Sequence, residues 1–308
     1  MIEQEQDGSL AKIADFGLRI ASVNNFPTAA GLASSASGLA ALVYTVGTLY
    51  QLDDAHGVSL GMLSRISRMG SGSACRSMFG GFVAWERGED DVAGSDSVAV
   101  QVATREHWPE MSALICVVSD RKKGTSSTAG MQRTVATSPL LQARVRDVVP
   151  QRMARMTEAI QRRDFDSFAV ETMADSNSFH AVCLDTAPPI FYMNDVSRAI
   201  VAVVEELNRA SIARGEGYVA AYTFDAGPNA VLYTPQKNVE LVRGLVARFF
   251  PGARDGGEPA QTLPEGFNEN VVPVQADSVS RLIHTRVGDG PRVLPSSEGL
   301  LNDSHEPI

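Results

Sequence analysis

The chain has 308 residues and a formal net charge of −9, with 44% hydrophobic and 20% charged residues. This composition is typical of a globular protein long enough for two domains. The negative charge argues against a protein that coats nucleic acid, and no apolar run reaches the eighteen residues that indicate a membrane span.

The first half of the chain alternates strand and helix patterns. Residues 15–22 alternate apolar and polar side chains and predict a strand, followed by a turn that contains Pro27 and Gly31. Residues 32–50 and 60–69 predict helices, and the small residues of the first favour burial on several sides. Strands are predicted at residues 80–85, 98–103 and 111–119. We place the domain boundary between the last two, near residue 107.

The second half is richer in helix. Helices are predicted at residues 142–163, 165–181, 195–214 and 237–249, and strands at 218–224, 230–233, 271–274 and 281–286. Residues 252–270 predict a long loop, and the tail after Pro295 predicts disorder. The pattern indicates an α+β fold with an N-terminal domain at 1–107, a C-terminal domain at 108–294 and a disordered tail at 295–308.

Cysteine and histidine usage bears on compartment and metal content. The three cysteines, Cys75, Cys116 and Cys183, follow no disulfide or zinc spacing, and the five histidines are scattered. The acidic start lacks the cationic and apolar parts of a signal peptide. We therefore expect a cytoplasmic protein with no all-protein metal site and no membrane or nucleic-acid partner.

The segment from Pro27 to Gly38 is the first that suggests chemistry. A strand, a glycine turn and a helix start built largely from small side chains would let a phosphate approach backbone N–H groups, aided by the helix dipole and serine hydroxyls. The Gly-Lys-Ser/Thr of a Walker loop is missing. A small-residue helix packed on a sheet explains the same composition, so the residues alone leave both readings open.

Three further segments combine charge with hydroxyl groups. Ser71, Ser73 and Arg76 lie close before a predicted strand, where Arg76 could bind a carboxylate or phosphate or form a surface ion pair. In residues 119–128, three cations are followed by four hydroxyls, which favours an anion site but also fits a solvated basic loop. Asp225 follows an apolar strand directly and suits either a fixed catalytic carboxylate or an ordinary turn.

Other conspicuous side chains need no chemistry. Trp85 and Trp108 are predicted to be core residues. His180, between Phe179 and Ala181 on a predicted helix, is predicted to be a hydrogen-bonded core residue rather than a base.

Four strings in this order resemble one family. They are NNFPTAAGLASS at 24–35, GSGSACRS at 70–77, DSNSFHA at 175–181 and AYTFDAGPNA at 221–230. The chain is similar, from about Leu18 to about Leu294, to the mevalonate diphosphate decarboxylases of the GHMP kinase superfamily. Kinases of that superfamily share the first string's Pro-x-x-x-Gly-Leu-x-Ser-Ser loop but not the Ser-Gly-Ser-Ala-Cys-Arg or Thr-Phe-Asp-Ala-Gly-Pro-Asn strings. The resemblance therefore favours functional readings of the first, second and fourth segments.

The resemblance implies a two-domain GHMP-kinase-like fold and a homodimer. It implies an ATP-dependent decarboxylation of diphosphomevalonate to isopentenyl diphosphate, with Mg²⁺ bound alongside the nucleotide. By match of motif, Asp225 is the catalytic aspartate that deprotonates the C3 hydroxyl, and Arg76 is the arginine that contacts the substrate carboxylate. Ser71, Ser73 and, more loosely, Ser127 correspond to substrate contacts. The ATP-binding positions are Ala30, Gly31, Ala33, Ser34 and Ser35.

One departure from the family pattern concerns the N-terminal domain. Family members carry roughly a quarter more chain before the region equivalent to Leu18, including a Tyr/Lys/Trp strand whose lysine and tyrosine contact the substrate. Nothing in this sequence matches that strand, so we expect an incomplete N-terminal domain with exposed apolar surface. Two alternatives stay open, namely an inactive chain of the same family and a sister small-molecule kinase that releases no carbon dioxide.

Overall fold

The computed structural model describes residues 16–28, 31–90, 92–119, 124–302, 304 and 306–307. Contacts divide the chain into two units. The first contains the described residues up to Phe26 together with Ala33–Gln101 and those from Asp289 onward, and the second contains Pro27–Leu32 and Val102–Gly288. The sequence placed one boundary at 107/108, whereas the chain changes unit at 101/102. It also returns to the first unit at Asp289.

The first unit consists of three helices and a small sheet. The helices are α1 (Ser34–Leu49), α2 (Leu60–Gly70) and α3 (Ala74–Ser77). Strands β1 (Phe82–Trp85) and β2 (Ala99–Ala103) form a two-stranded sheet. Helix α2 begins where the Ser59 hydroxyl accepts the N–H of Met62, which is a standard N-cap. The helices pack around a small core of Ala36, Ala40, Val58, Leu63, Ala74 and Met78.

The second unit is built on an antiparallel sheet of four strands in the order β4-β5-β3-β6. The strands are β3 (Met111–Val117), β4 (Ala221–Phe224), β5 (Ala230–Pro235) and β6 (Arg281–Arg286). Its helices are α4 (Ser127–Thr137), α5 (Pro139–Ala143), α6 (Val149–Arg162), α7 (Phe165–Asp185), α8 (Asp195–Ala213) and α9 (Val239–Phe249). Strand β3 lies between two neighbours and is almost wholly buried, which explains its continuous apolar sequence.

The α+β class is confirmed, and most predicted elements form. Strand β6 has the predicted bounds, and α2 and α8 end within a residue of theirs. The predicted helix at 142–163 is instead a succession of α5, a π-helical turn at Arg144–Val148 and α6. Helix α4 was missed, because its Thr- and Ser-rich sequence carries little apolar periodicity.

Two predicted strands are wrong. Residues 16–24 form no strand in the described structure, and Phe16, Ile20 and Val23 are exposed. Residues 271–274 form none either, because Pro273 offers no backbone N–H to a ladder, while Val271 and Val272 pack on the core from irregular chain. Alternating apolar residues become a strand only where another strand can accept their backbone hydrogen bonds.

Two further expectations concern burial and the tail. Helix α1 is not buried on several sides, because only Ala36, Ala40 and Gly47 are buried while Leu42 and Leu49 are exposed. The tail contains a 3₁₀ turn at Ser296–Glu298 and a bridge between Leu301 and Pro307, where the sequence predicted disorder.

Candidate active site

Ser35 and Ser71, predicted to contact different ligands, lie together in the first unit. Ser35 is in the first turn of α1, and Ser71 is the residue at which α2 ends. Their hydroxyl oxygens are 3.1 Å apart. Ser35 is exposed and Ser71 is half-buried, so both hydroxyls can reach a solvent-side ligand. The sequence separated these residues into ATP-binding and substrate-binding sets, whereas their geometry makes them one hydroxyl pair.

Arg76 projects from the short helix α3, which starts after Ser73. Its guanidinium carbon lies 5.9 Å from the centre of the Trp85 ring, within the range of a cation–π contact. The Trp85 indole N–H donates to the Ser97 hydroxyl at 3.0 Å, which fixes the ring. A Cβ on Gly72 would lie 2.7 Å from the same ring, so glycine lets the Ser71–Ser73 backbone pass directly over it.

Trp85 is therefore a residue that the sequence analysis misjudged. The prediction of a core position is confirmed for Trp108, which is 5% exposed, and is wrong for Trp85, which is 36% exposed. Its partly exposed ring is the surface on which Arg76 rests. The signal that could have revealed it is the aromatic residue at the end of the strand that follows the Ser-Gly-Ser-Ala-Cys-Arg string.

In the second unit, Asp225 occupies the turn between β4 and β5, and it is exposed. The turn around it is fixed by buried polar groups. The N–H of Gly227 donates to the Asp225 carbonyl at 2.7 Å, and the Ser197 hydroxyl donates to the Pro228 carbonyl at 2.8 Å. A buried residue, Asn229, closes the turn.

The Asn229 side chain joins the turn to the end of β3. Its carbonyl oxygen accepts the N–H groups of Val118 and Ser119 at 2.7 and 3.0 Å, and its amide donates to the Ser119 carbonyl at 3.0 Å. These bonds stabilise the backbone on both sides of the carboxylate. An exposed carboxylate on a rigid turn is suited to accept a proton from a bound substrate.

Gly31 of the predicted phosphate loop lies directly against this turn. A Cβ on Gly31 would lie 2.4 Å from the Cα of Gly227, 2.6 Å from its nitrogen and 2.9 Å from the carbonyl carbon of Ala226. Gly31 also has φ of +76°, which disfavours any other residue. The absence of a Cβ on Gly31 therefore lets the two loops meet backbone to backbone. The predicted nucleotide loop and the predicted catalytic turn share a contact within the second unit.

An apolar wall lies beside Asp225. It consists of Cys183, Ile190, Tyr192 and Ala226. Burial raises the pKa of Cys183 to about 11, and the charge of Asp225 contributes to that rise. Burial also raises the pKa of Tyr192, and the charge of Asp225 contributes to that rise. Both groups therefore stay protonated and neutral beside the carboxylate at neutral pH, so neither can act there as a base.

Ser127 lies at the first residue of α4, next to the Ser126 hydroxyl that caps the helix by accepting the N–H of Ala129. Gly130 on this helix allows close approach of the Tyr192 ring, since its Cβ would lie 2.4 Å from the Tyr192 hydroxyl. Tyr192 thus connects the start of α4 with the wall beside Asp225. The basic residues Arg121, Lys122 and Lys123 lie outside the described residues, as does Ala30 of the phosphate loop.

The predicted site residues fall into two groups, one in each unit. Ala33, Ser34, Ser35, Ser71, Ser73 and Arg76 belong to the first unit, and Gly31, Ser127 and Asp225 to the second. Within the described parts of the chain, no cluster of three or more His, Cys, Asp or Glu could hold a metal ion. None of the described helices is long and apolar enough to cross a membrane. All three cysteines are buried and free.

Comparison with known proteins finds matches over nearly the whole chain. The family model of the diphosphomevalonate decarboxylase-like N-terminal domain matches residues 3–99, and that of the mevalonate 5-diphosphate decarboxylase C-terminal domain matches residues 113–294. The match therefore begins before the Leu18 start suggested by the motifs. The diphosphomevalonate decarboxylase of Ganoderma lucidum is 57% identical over 97% of this chain and 76% of its own length. That of Saccharomyces cerevisiae is 49% identical, with the same coverage.

Solved structures give the same result. A crystal structure of mevalonate 5-diphosphate decarboxylase superposes with a TM-score of 0.77 at 47% identity, covering 92% of this chain and 72% of that one. The Trypanosoma brucei mevalonate diphosphate decarboxylase gives 0.75 at 37% identity, covering 91% and 73%. A complex described as MDDEF with MVAPP, AMPPCP and magnesium gives 0.64 at 32% identity, covering 86% and 68%. The chain spans about three quarters of the length of the relatives that it matches.

Proposed function

This chain belongs to the diphosphomevalonate decarboxylase family, and on that premise we propose that it decarboxylates diphosphomevalonate at the expense of ATP, with Asp225 as the base. The observation that carries the proposal is the exposed carboxylate of Asp225. Its turn is held by hydrogen bonds and contacts Gly31. A base for phosphoryl transfer must be fixed in relation to the nucleotide phosphates, because positioning supplies much of the rate of such reactions. The backbone contact between Gly31 and Gly227 supplies such a fixed relation.

The proposed reaction has two stages. Asp225 takes the proton of the C3 hydroxyl as the hydroxyl oxygen attacks the γ-phosphate of ATP, and ADP leaves. The bond between C3 and the phosphorylated oxygen then breaks, and phosphate departs with the bonding electrons. The electrons of the C–C bond to the carboxylate form the new double bond as carbon dioxide leaves. The products are ADP, phosphate, carbon dioxide and isopentenyl diphosphate.

The remaining residues bind and orient the anionic groups. Arg76 holds the substrate carboxylate, since a guanidinium offers paired donors to two oxygens. The Ser35–Ser71 pair donates to phosphate and substrate oxygens, with Ser73 beside it. Ser127, in the first turn of α4, binds the diphosphate where backbone N–H groups and the helix dipole favour an anion.

The residues fit a magnesium nucleotide. The predicted loop offers backbone N–H groups and serine hydroxyls, which are donors that can bind a phosphate at a helix start. Mg²⁺ in such sites is held mainly by phosphate oxygens and water, with few protein ligands. When bound, the ion offsets the repulsion among the phosphates and the substrate anions.

A stoichiometric assay tests the proposed function. The purified chain is incubated with ATP, Mg²⁺ and diphosphomevalonate while ADP and carbon dioxide are followed together. We expect equal amounts of both products, and neither when diphosphomevalonate is omitted. ADP without carbon dioxide would indicate a small-molecule kinase. Release of neither product by a chain that circular dichroism shows to be folded would contradict the proposed activity.

Trp85 provides a second expected result, on substrate affinity. Replacing Trp85→Leu removes the ring beneath the Arg76 guanidinium, and an exposed cation–π contact contributes about 0.5–1 kcal/mol. We expect KM for diphosphomevalonate to rise by roughly twofold to fivefold while kcat changes little. Trp85→Phe keeps an aromatic face and should cause a smaller rise. Equal KM values for both variants and the wild type would show that the ring does not orient Arg76.

The homodimer and the cytoplasmic location expected from the sequence stay predictions. Sedimentation equilibrium of the purified chain measures the first directly, and a mass of twice 32.9 kDa is expected.

A further inference from the structure

Helix α7 bonds to β4 immediately before the Asp225 turn. The Ser176 hydroxyl accepts the N–H of Phe224 at 3.1 Å, and Nε2 of His180 lies 3.3 Å from the Phe224 carbonyl oxygen. Both side chains are buried. One helix therefore engages both polar groups of the residue that precedes Asp225. These contacts give a use to the DSNSFHA string at 175–181, to which the sequence analysis assigned no chemistry.

The position of β4 in the sheet explains why such contacts are needed. Among the strands that the structure describes, β4 is an edge strand and pairs with β5 alone. The outer edge of such a strand offers backbone groups that no strand satisfies. Side chains of α7 bond to this edge in place of a further strand. Asn177 adds to them, because its side-chain amide can donate to the Tyr222 hydroxyl and its side-chain carbonyl can accept from it. The chain that leads into Asp225 is thus held from the sheet on one side and from α7 on the other.

The state of the imidazole agrees with this contact. To donate to the Phe224 carbonyl, His180 must carry its proton on Nε2. Burial lowers the pKa of His180, with the hydrogen bond to Phe224 and the charge of Asp225 acting more weakly in the opposite direction. The ring is therefore neutral at neutral pH, and it donates its one N–H, on Nε2, to the Phe224 carbonyl. The sequence prediction that His180 is a hydrogen-bonded core residue is confirmed, but it did not foresee what His180 bonds to.

We propose that His180 and Ser176 are positioning residues, which orient the Asp225 carboxylate by fixing both backbone groups of Phe224. A single bond would hold only one of the two peptide units that flank the Phe224 Cα, whereas a donor and an acceptor on successive turns of one helix hold both. The proposal rests on the function proposed above for Asp225. Small angular errors in a catalytic group reduce the rate strongly while substrate binding is retained.

The test compares His180→Phe with His180→Gln. Phenylalanine fills the space but cannot donate, whereas the glutamine amide can donate to the same carbonyl. We expect His180→Phe to lower kcat by about tenfold or more with both KM values within roughly threefold, and His180→Gln to recover most of the loss. Ser176→Ala is a smaller change and should also lower kcat while both KM values stay near those of the wild type. It tests the proposal if the His180→Phe variant does not fold.

Two controls separate positioning from general stability. His107 makes a bond of the same kind, from Nε2 to the Ile160 carbonyl at 2.9 Å, so His107→Phe should leave kcat unchanged. In the Asp225→Asn background, His180→Phe should cause no further loss of kcat, because residues that act as a unit are not additive.

The outcomes distinguish this inference from the proposed function. An active wild-type chain whose His180→Phe and Ser176→Ala variants lose thermal stability but keep kcat would overturn the positioning role alone. The positioning role would also be overturned if His180→Gln failed to recover kcat and His107→Phe lowered kcat as much as His180→Phe does. A wild-type chain that releases neither ADP nor carbon dioxide would remove the proposed function, and with it the group to be positioned.

Discussion

Replacing Asp225→Asn should lower kcat for release of both ADP and carbon dioxide by roughly 10²–10⁴-fold, the usual contribution of a general base. Asparagine has the same shape and suits the same exposed turn, but it cannot accept the C3 hydroxyl proton. The bonds that hold the turn involve the backbone and Asn229, so they survive the change. Both products should fall together, because phosphorylation precedes decarboxylation. Substrate KM values and the melting temperature should stay near those of the wild type.

A matched carboxylate serves as the control for this substitution. Asp195 is exposed at the start of α8 and pairs with Arg198 on the same helix. Asp195→Asn removes the same charge and should leave kcat unchanged, with at most a small loss of stability from the helix N-terminus. An Asp225→Asn variant that keeps more than a tenth of the wild-type rate would exclude the general-base role.

The second large effect is expected from Gly31→Ala. The added Cβ would lie 2.4 Å from the Cα of Gly227, and all three of its nearest atoms are backbone atoms that cannot rotate away. Either the phosphate loop or the Asp225 turn must move. Because displacements of about 1 Å can cost 10²-fold in rate, we expect kcat to fall by roughly that factor and KM for ATP to rise. Steady-state kinetics with ATP as the varied substrate measures both.

Gly57 separates the clash from backbone strain. Its φ of +75° nearly equals that of Gly31, but a Cβ there meets nothing within 4 Å. Gly57→Ala therefore imposes the left-handed strain, which costs about 1–2 kcal/mol for a residue with a Cβ, without a collision. It should lower stability and leave kcat unchanged. If Gly31→Ala matched Gly57→Ala in kcat and KM, the contact between the two loops would have no catalytic role.

The helices and strands whose apolar residues recur at a regular spacing were predicted correctly from the sequence. Those whose formation depends on neighbouring elements were not. Strand β3 and helix α8 carry unmistakable apolar patterns, and their positions were anticipated. The alternation at 15–22 looked equally convincing, yet a strand exists only with a partner, and the local pattern does not contain the partner. The sequence signal of helix α4 is its serine N-cap and not an apolar stripe. That serine lies in a segment that was interpreted as an anion-binding loop.

The candidate site was predicted residue by residue through the motifs, but its physical construction was not. The motifs singled out Asp225 and Arg76 without indicating that Asn229, Ser197 or Trp85 holds them. Some of these supporting contacts join residues far apart in the chain, as between Asn229 and Val118. No spacing rule along the chain records them. His180 was correctly expected to be buried, while its bond to the strand before Asp225 required coordinates.

The meeting of Gly31 and Gly227 limits how this protein can be altered. Most steric conflicts can be relieved by trimming the side chain on the opposite position, but here neither partner has a side chain to trim. A larger residue at Gly31 therefore has no compensating mutation at Gly227. Any redesign of the phosphate loop would therefore have to keep Gly31.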